Sequence, residues 1–197
     1  DNIQIPAEVG ELASGLEGQG RMAEPESIIT FIENNILESL PLKNKHILIT
    51  AGPTFEAIDP VRFIGNHSSG KMGYSIAEIA AELGASVTLI SGPVSLKLNN
   101  ESIEIINVTS ANEMYEATHM HFNNCDIAIL SAAVADFSPI KFSNQKIKKK
   151  EEHLIIELKK TKDILSSLGV IKSNKYLVGF ALETHNEIEN AKTKLNK

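Results

Sequence analysis

Nine consecutive residues, Gly65-Asn66-His67-Ser68-Ser69-Gly70-Lys71-Met72-Gly73, set glycines, two hydroxyls and an amide directly ahead of a helical pattern. In Tyr74–Leu83 the apolar residues recur at the spacing of an amphipathic helix. Small residues at such a start leave backbone N–H groups free beside the positive end of the helix dipole. That is an anion site, most often for phosphate. A plain helix start uses the same residues, with Ser68 or Ser69 as cap and Gly70 relaxing a turn. Taken alone, the two readings stand level. A second cluster, Lys146-Ile147-Lys148-Lys149-Lys150, would put Lys146, Lys148 and Lys150 on one face of a strand. It suits either a cationic arm closing over phosphate or a solvated edge guarded against aggregation.

These residues need elements to hold them. Lys45–Ala51, Ala85–Ser91, Ile103–Val108 and Cys125–Ala133 are short β-branched runs that read as strands buried in a sheet. Helical patterns at Gly70–Leu83 and Ser110–Phe122 lie between them. The alternation predicts right-handed crossovers and a doubly wound parallel sheet of the α/β class. Ligands of such sheets gather at the carboxyl ends of the strands. Ala51–Thr54, Ser91–Pro93 and Ala132–Phe137 are therefore expected to share one crevice.

Farther along, Gln145–Lys150 and Leu154–Leu158 flank Glu151-Glu152-His153 and read as a hairpin protruding from the sheet. A helix is expected at Thr161–Leu168 with Asp163 near its first turn, and a buried strand at Tyr176–Ala181. Another helix should run from Asn186 to Lys197, and the sheet is expected to lack a final strand. In the leader, Gly10, Gly15, Gly18 and Gly20 make Val9–Arg21 a loop. A helix then spans Pro25–Leu40, with the proline in its first turn. Residues 1–44 read as the tail of a preceding domain plus a connector.

A chain of 197 residues with 42% hydrophobic content supports one main core. Its net charge of −6 argues against nonspecific nucleic-acid binding. The lone Cys125 permits no intrachain disulfide, suits a reducing compartment and is most simply a core residue. No apolar run approaches the roughly 20 residues of a membrane helix, and the first residues are not signal-like. A cytoplasmic protein with neither membrane nor nucleic-acid partner is the expectation. The histidines 46, 67, 119, 121, 153 and 185 are scattered. His119 and His121, two apart on a helix, point in different directions, so no protein-held metal is expected.

Six blocks in order carry a resemblance: ILITAGPT (47–54), IDPVRFIGNHSSGKMG (58–73), VTLISGPVSL (87–96), AAVADF (132–137), KIKK (146–149) and GFALET (179–184). From about Lys45 to Lys197 the chain resembles phosphopantothenoylcysteine synthetase, also called phosphopantothenate–cysteine ligase, of coenzyme A biosynthesis. That resemblance implies a Rossmann-like fold with a hairpin flap that also serves as a dimerisation arm, a homodimer, and a C-terminally truncated ligase domain at 45–197. It also implies CTP with Mg2+ as co-substrate, and 4′-phosphopantothenate and L-cysteine as substrates. The leader GELASGLEGQGRMAEPESI (10–28) is similar to the substrate-clamp segment of the flavin-dependent decarboxylase fused ahead of many bacterial synthetases, with Ser14 where that clamp often carries cysteine. FMN and decarboxylation are expected only of the full fused chain, which would form a larger assembly.

The resemblance implies roles residue by residue. Ser68, Ser69 and Gly70 would cradle phosphates, while Gly52 and Gly92 would let the backbone approach the nucleotide. Asn66 would lie on the acyl-cytidylate, although an asparagine tolerating a left-handed turn is the plainer alternative. Lys146 would act in the first half-reaction, with Lys148 and Lys149 as weaker candidates. Ala132 and Ala133 would bring backbone groups to the base or, at Ala133, to the pantothenate. Asp136 would accept from ribose or base, or order a loop; Phe180 would lie beside the nucleotide, or in the core. Arg62 would hold a pantothenate anion, or a structural carboxylate such as Asp59. Lys71 is assigned no role.

Two rivals are weighed against this. An NAD(P)-dependent oxidoreductase needs a GxGxxG turn, and the first strand ends instead in Ala51-Gly52-Pro53-Thr54. Its short-chain form also needs tyrosine four residues before lysine, and Tyr74, Tyr115 and Tyr176 precede Glu78, His119 and Phe180 at that spacing. A non-catalytic nucleotide sensor shares most binding residues with an enzyme. The presence of both Asn66 and Lys146 favours catalysis.

Overall fold

The leader forms strands despite its glycines. Glu8–Glu11 (β1) pairs antiparallel with Glu17–Arg21 (β2), so the loop expected at Val9–Arg21 is a hairpin. Gly15 takes φ +76° between the strands, a conformation that L side chains resist. Gly10 leaves the space that the Arg21 side chain occupies. Pro25–Ser39 (α1) follows, with proline in the first turn, where its missing N–H leaves no bond unmade. The computed structural model describes residues 2–11, 13–148, 153–182 and 185–195. These elements belong to the first of two units, Asp1–Lys43 and Asn44–Lys197.

The second unit runs through His46–Ala51 (β3), Phe55–Ala57 (β4), Phe63–Gly65 (β5), Lys71–Glu82 (α2) and Ser86–Ser91 (β6). It continues through Ile103–Asn107 (β7), Ala111–Phe122 (α3), Ile127–Leu130 (β8), Phe137–Pro139 (β9) and Leu158–Lys160 (β10). Ile164–Ile171 (α4), Tyr176–Gly179 (β11) and Glu187–Leu195 (α5) complete it. Five parallel strands form the main sheet in the order β11-β8-β3-β6-β7. From the central β3 the chain winds outward through β6 and β7, then returns to β8 on the other side. This is the Rossmann-like doubly wound order, and its direction reverses between β3 and β8.

Alternation along β3 explains why helices cover both faces. Leu48 joins Met114 and Phe122 of α3 and Ile164 and Leu168 of α4 in one buried cluster. Ala51, of opposite parity, meets α2: a Cβ on Gly73 would stand 2.5 Å from the Ala51 Cβ. Buried on both sides, β3 reads as a continuous apolar run.

The helix starts obey local chemistry. The Ser110 hydroxyl accepts the Glu113 N–H, and Glu113 returns a carboxylate to the Ser110 N–H, closing a capping box on α3. Asp163 caps α4 by accepting the Ser166 N–H at 2.9 Å. Three further sequence expectations change. The buried strand expected at Tyr176–Ala181 is the edge strand β11, Tyr176–Gly179, which has a neighbour on one side and leaves Tyr176 and Val178 exposed. The strand expected over Cys125–Ala133 is shortened to Ile127–Leu130, because beyond it the Ala132 amide turns to the Thr50 hydroxyl and those of Ala133 and Ala135 turn to Gly52 and Thr54 after β3. The hairpin expected from Gln145–Lys150 and Leu154–Leu158 is also displaced. Among the described residues, 145–148 and 153–157 form no strand; Lys149, Lys150, Glu151 and Glu152 lie outside the described residues. Pairing occurs instead at the base of the excursion, where Leu158–Lys160 runs antiparallel to Phe137–Pro139. Leu154 and Ile155 are exposed.

Phe122 is fully buried at the end of α3, whereas Met120, two residues earlier, is largely exposed. Phe122→Ala should destabilise the fold by about 3–5 kcal/mol and Met120→Ala by no more than about 0.5 kcal/mol. Urea midpoints of the two variants check this.

Candidate active site

The floor of the site is the junction where the sheet reverses direction. Beyond β8, the Ser131 hydroxyl donates to the Thr50 carbonyl at 2.7 Å, and the Ala132 N–H reaches the Thr50 hydroxyl at 3.3 Å. The Ala133 N–H donates to the Gly52 carbonyl at 2.8 Å, the Thr54 N–H returns to the Ala133 carbonyl at 3.3 Å, and the Ala135 N–H donates to the Thr54 hydroxyl at 2.9 Å. Thr50 and Thr54 are buried, so each hydroxyl must find a partner, and each serves as a fixed acceptor. The two post-strand segments are thereby laced together, with Pro53 bridging Ala133. Asn66 sits across this floor, its Nδ2 donating to the Val134 carbonyl at 2.9 Å. Among the described residues its Oδ1 has no protein donor.

One wall is a junction of glycines. Gly52 and Gly70 both take φ +76°. A Cβ on Gly70 would stand 3.4 Å from the Gly52 Cα, and a Cβ on Gly52 would stand 3.1 Å from the Gly92 carbonyl oxygen. On Gly92 it would stand 1.7 Å from the Pro53 carbonyl oxygen. Sequence reasoning gave Gly52 and Gly92 the task of admitting a nucleotide. In the structure their missing side chains first admit one another's loops, which brings three chain segments together. Tyr74 of α2 reinforces the wall from within: its hydroxyl donates to Ser91, whose own hydroxyl donates to the Gly92 carbonyl.

The helix start itself lies at this wall. The Gly70 N–H donates to the Ser68 hydroxyl at 3.2 Å, and the Lys71 N–H to the Ser69 hydroxyl at 3.4 Å. The cap position itself falls not on a serine but on Gly70, which has no side chain to cap with. Each serine instead accepts the amide two residues on, so the Gly70 and Lys71 amides are already engaged while each hydroxyl keeps its own proton to donate.

The opposite side is the β4–β5 ribbon. Phe55 and Phe63 stack at 3.9 Å, and the ribbon is fastened to α3 by the Phe55 N–H on the Thr109 carbonyl and the buried Glu56 carboxylate on the Ala111 N–H. At its turn, Asp59 is only 2% exposed. It accepts from the N–H groups of Val61 and Arg62, from the Arg62 guanidinium, and from the Ile147 N–H at 3.0 Å. The Arg62 guanidinium holds the Asp59 carboxyl well below the usual carboxylate range, and the three backbone donors add to this against the opposing effect of burial. Arg62 Nη2 also donates to the Ile147 carbonyl at 2.8 Å. Of the two uses open to Arg62, the structure displays the pairing with Asp59.

The remaining candidates are distributed around these parts. Ala132 and Ala133 are part of the floor. Asp136 is exposed just beyond it, with its main-chain carbonyl accepting the Thr161 N–H. Phe180 is 53% exposed, directly after β11 and beside the end of β8, so it is no core residue. Lys146 and Lys148 are exposed on either side of the half-buried Ile147; Lys149 lies outside the described residues. Sequence reasoning missed the parts that hold these residues in place, Thr50, Thr54, Tyr74 and Glu56. It cited Asp59 only as a partner for Arg62. The Asp59-Pro60 pair, a turn-initiating signature, was the available signal.

Residues 42–197 match the family described as the DNA/pantothenate metabolism flavoprotein C-terminal domain. The chain belongs to this family. Two curated relatives of the flavoprotein-domain family are a cysteine/cysteine sulfinic acid decarboxylase of an unknown prokaryotic organism and the coenzyme A biosynthesis bifunctional protein CoaBC of Bacillus subtilis (strain 168). They are 52% and 50% identical to it over 95% and 94% of its length, and the match covers 54% and 46% of theirs. The chain thus spans about half the length of the curated relatives it matches. A crystal structure of the C-terminal domain of a CoaBC superposes with a TM-score of 0.71 at 48% identity, covering 80% of this chain and 74% of that one.

The glycine junction and the Asp59 pair each generate a measurable outcome. Gly92→Ala should destabilise the family fold by about 1–3 kcal/mol or more, since one loop must move to admit the methyl group; thermal unfolding checks it. Asp59 has a folded pKa below the unfolded value of about 3.9. Its contribution is present in full above that value and lost as pH falls through the folded pKa. The stability gap between wild type and Asp59→Asn should therefore shrink steadily below about pH 4, as read by denaturant titrations across acid pH.

Proposed function

We propose that the unit Asn44–Lys197 is a ligase of coenzyme A biosynthesis that joins 4′-phosphopantothenate to L-cysteine through a CTP-derived acyl-cytidylate. The observation that carries this reading is Asn66 seated across the switch-point floor, four residues ahead of a glycine-walled helix start. An amide and a phosphate cradle thus border one crevice. Membership in a family whose relatives include a coenzyme A biosynthesis protein supports it.

In the first half-reaction a carboxylate oxygen of 4′-phosphopantothenate attacks the α-phosphorus of CTP. The bond to the bridging oxygen breaks, and pyrophosphate leaves with that electron pair. Carboxylate and triphosphate repel each other, so donors and cations must meet the charge that develops. Ser68, Ser69 and Gly70 take the phosphates in this reading, and Lys146, with Lys148 in support, approaches the α-phosphate. In the second half-reaction the cysteine amine attacks the acyl carbon, the C–O bond to CMP breaks, and the amine's proton passes to solvent. Asn66, uncharged, donates to the acyl carbonyl and accepts from the amine without protonating it. Asp136, Phe180 and the backbone at Ala132 and Ala133 hold the nucleotide and the pantothenate.

Among the described residues no three His, Cys, Asp or Glu side chains gather as a metal cage. Magnesium in this reading arrives on the triphosphate, as that hard ion commonly does. Dimerisation, a larger assembly in a fused chain, and a cytoplasmic setting belong to the same proposal. The flavin chemistry that a decarboxylase requires belongs, in this reading, to the decarboxylase domain of a full fused chain, whose substrate clamp residues 10–28 resemble.

The test is pyrophosphate release from CTP and 4′-phosphopantothenate, measured with and without cysteine. Asn66→Ala should still release pyrophosphate yet form amide about 10²–10³-fold more slowly, while Lys146→Ala should lose pyrophosphate release by a similar factor. Unchanged turnover in Asn66→Ala would overturn its role, and no binding of CTP to wild type would overturn the nucleotide reading.

A further inference from the structure

The Asp59–Arg62 pair does more than close its own turn. Its partner outside the ribbon is Ile147, 88 residues away from Asp59 and flanked by Lys146 and Lys148. Both backbone groups of Ile147 are taken: its N–H by the Asp59 carboxylate at 3.0 Å and its carbonyl by Arg62 Nη2 at 2.8 Å. A further tie, the Ser143 N–H on the Ile58 carbonyl at 3.0 Å, anchors the same arm four residues earlier.

An open cavity of about 440 Å³ lies beside this docking, lined by Ile58 and otherwise by residues of the 141–157 excursion, among them Phe142, Ile147 and Leu154. Phe142 and Leu154 are exposed. The bonds that tie residues 143–148 to the ribbon turn are polar, at Asp59, Arg62 and Ile58. The ribbon that carries Asp59 also ends at Gly65, immediately before Asn66. One buried carboxylate therefore binds both the strand pair leading to Asn66 and the backbone between Lys146 and Lys148.

We infer that Asp59 is a positioning residue that clasps the lysine arm to the ribbon, fixing Lys146 relative to Asn66 in the ligase site. Its donors are arranged for that task. Oδ1 takes the two amides of its own turn, and Oδ2 takes Arg62 and the arm. Asparagine would replace one acceptor oxygen with a donor and could not receive both sets. The inference rests on the ligase reading for its chemical consequence, while the docking of the arm can be measured apart from it.

The experiment combines hydrogen–deuterium exchange with single-turnover kinetics on the full chain. Asp59→Asn and Ile147→Pro are compared with wild type, the second removing the arm's N–H donor without altering the Asp59 or Arg62 side chain. Both should speed exchange in residues 143–148 while leaving β3 and β6 protected. Both should slow CTP-dependent pyrophosphate release about 10- to 100-fold, as a misplaced catalytic group does, with the KM for CTP changed far less. Asp59→Glu, which keeps the charge, should recover part of the rate. Unaltered exchange in the arm overturns the clasp. Faster exchange with a normal rate overturns its positioning role. Should wild type itself release no pyrophosphate, the ligase reading fails, and the exchange data still decide whether Asp59 holds the arm.

Discussion

The reversal of strand order beside β3 leaves two chain ends facing each other, and buried threonine hydroxyls decide how they meet. Thr50 and Thr54 extend the pairing of β3 with β8 past the point where the regular ladder stops. An amide leaving a sheet edge must find an acceptor or face solvent. Here the amides of Ala132, Ala133 and Ala135 find theirs on the neighbouring segment, so the floor of the crevice is nearly as fixed as the sheet beneath it. Catalytic groups gain from such rigidity, because their geometry must hold to within a fraction of an ångström.

Everything that borders the crevice is referred to that floor. Gly73 lets α2 approach Ala51 and Ser131, so the helix start is set against the same residues that carry the lacing. Asn66 rests on Val134, inside the laced segment. The glycine junction places the turns after β3 and β6 against the start of α2, and none of the three positions tolerates a Cβ without displacement. The lysine arm alone is held from elsewhere. Its anchor is the Asp59 turn on the ribbon. The start of α2 and Asn66 are thus set against the sheet, while residues 143–148 are held by polar bonds to the Asp59 turn.

Much of this was legible in the residues. β3 announces itself through HILITA, α3 through Ser110 followed by Glu113, and α4 through Asp163, because these signals are local and the chemistry that satisfies them lies within a turn. The leader hairpin and the lysine arm were misread for the opposite reason. Four glycines in Val9–Arg21 lower local strand propensity, yet Gly10 and Gly15 are there for cross-strand space and a left-handed turn, which depend on the pairing partner. Lys146–Lys150 followed by Leu154–Leu158 has the outline of a hairpin. Among the described residues the excursion pairs only at its base, β9 with β10, which are far apart in sequence and share no local signal.

The sequence by itself determined the alternation of the main-sheet strands with α2, α3 and α4, the caps of α3 and α4, and which side chains carry amide, hydroxyl or positive charge. Those properties follow from side-chain type and spacing along a few turns of chain. Tertiary structure alone decided that Thr54 would serve Ala135, 81 residues away, and that Asp59 would serve Ile147, 88 residues away. It also decided that Gly92 must be glycine because Pro53 stands against it. Contacts of that kind depend on which strands become neighbours. That is settled by burying the sheet's two faces together, a cooperative outcome that no short window of residues contains.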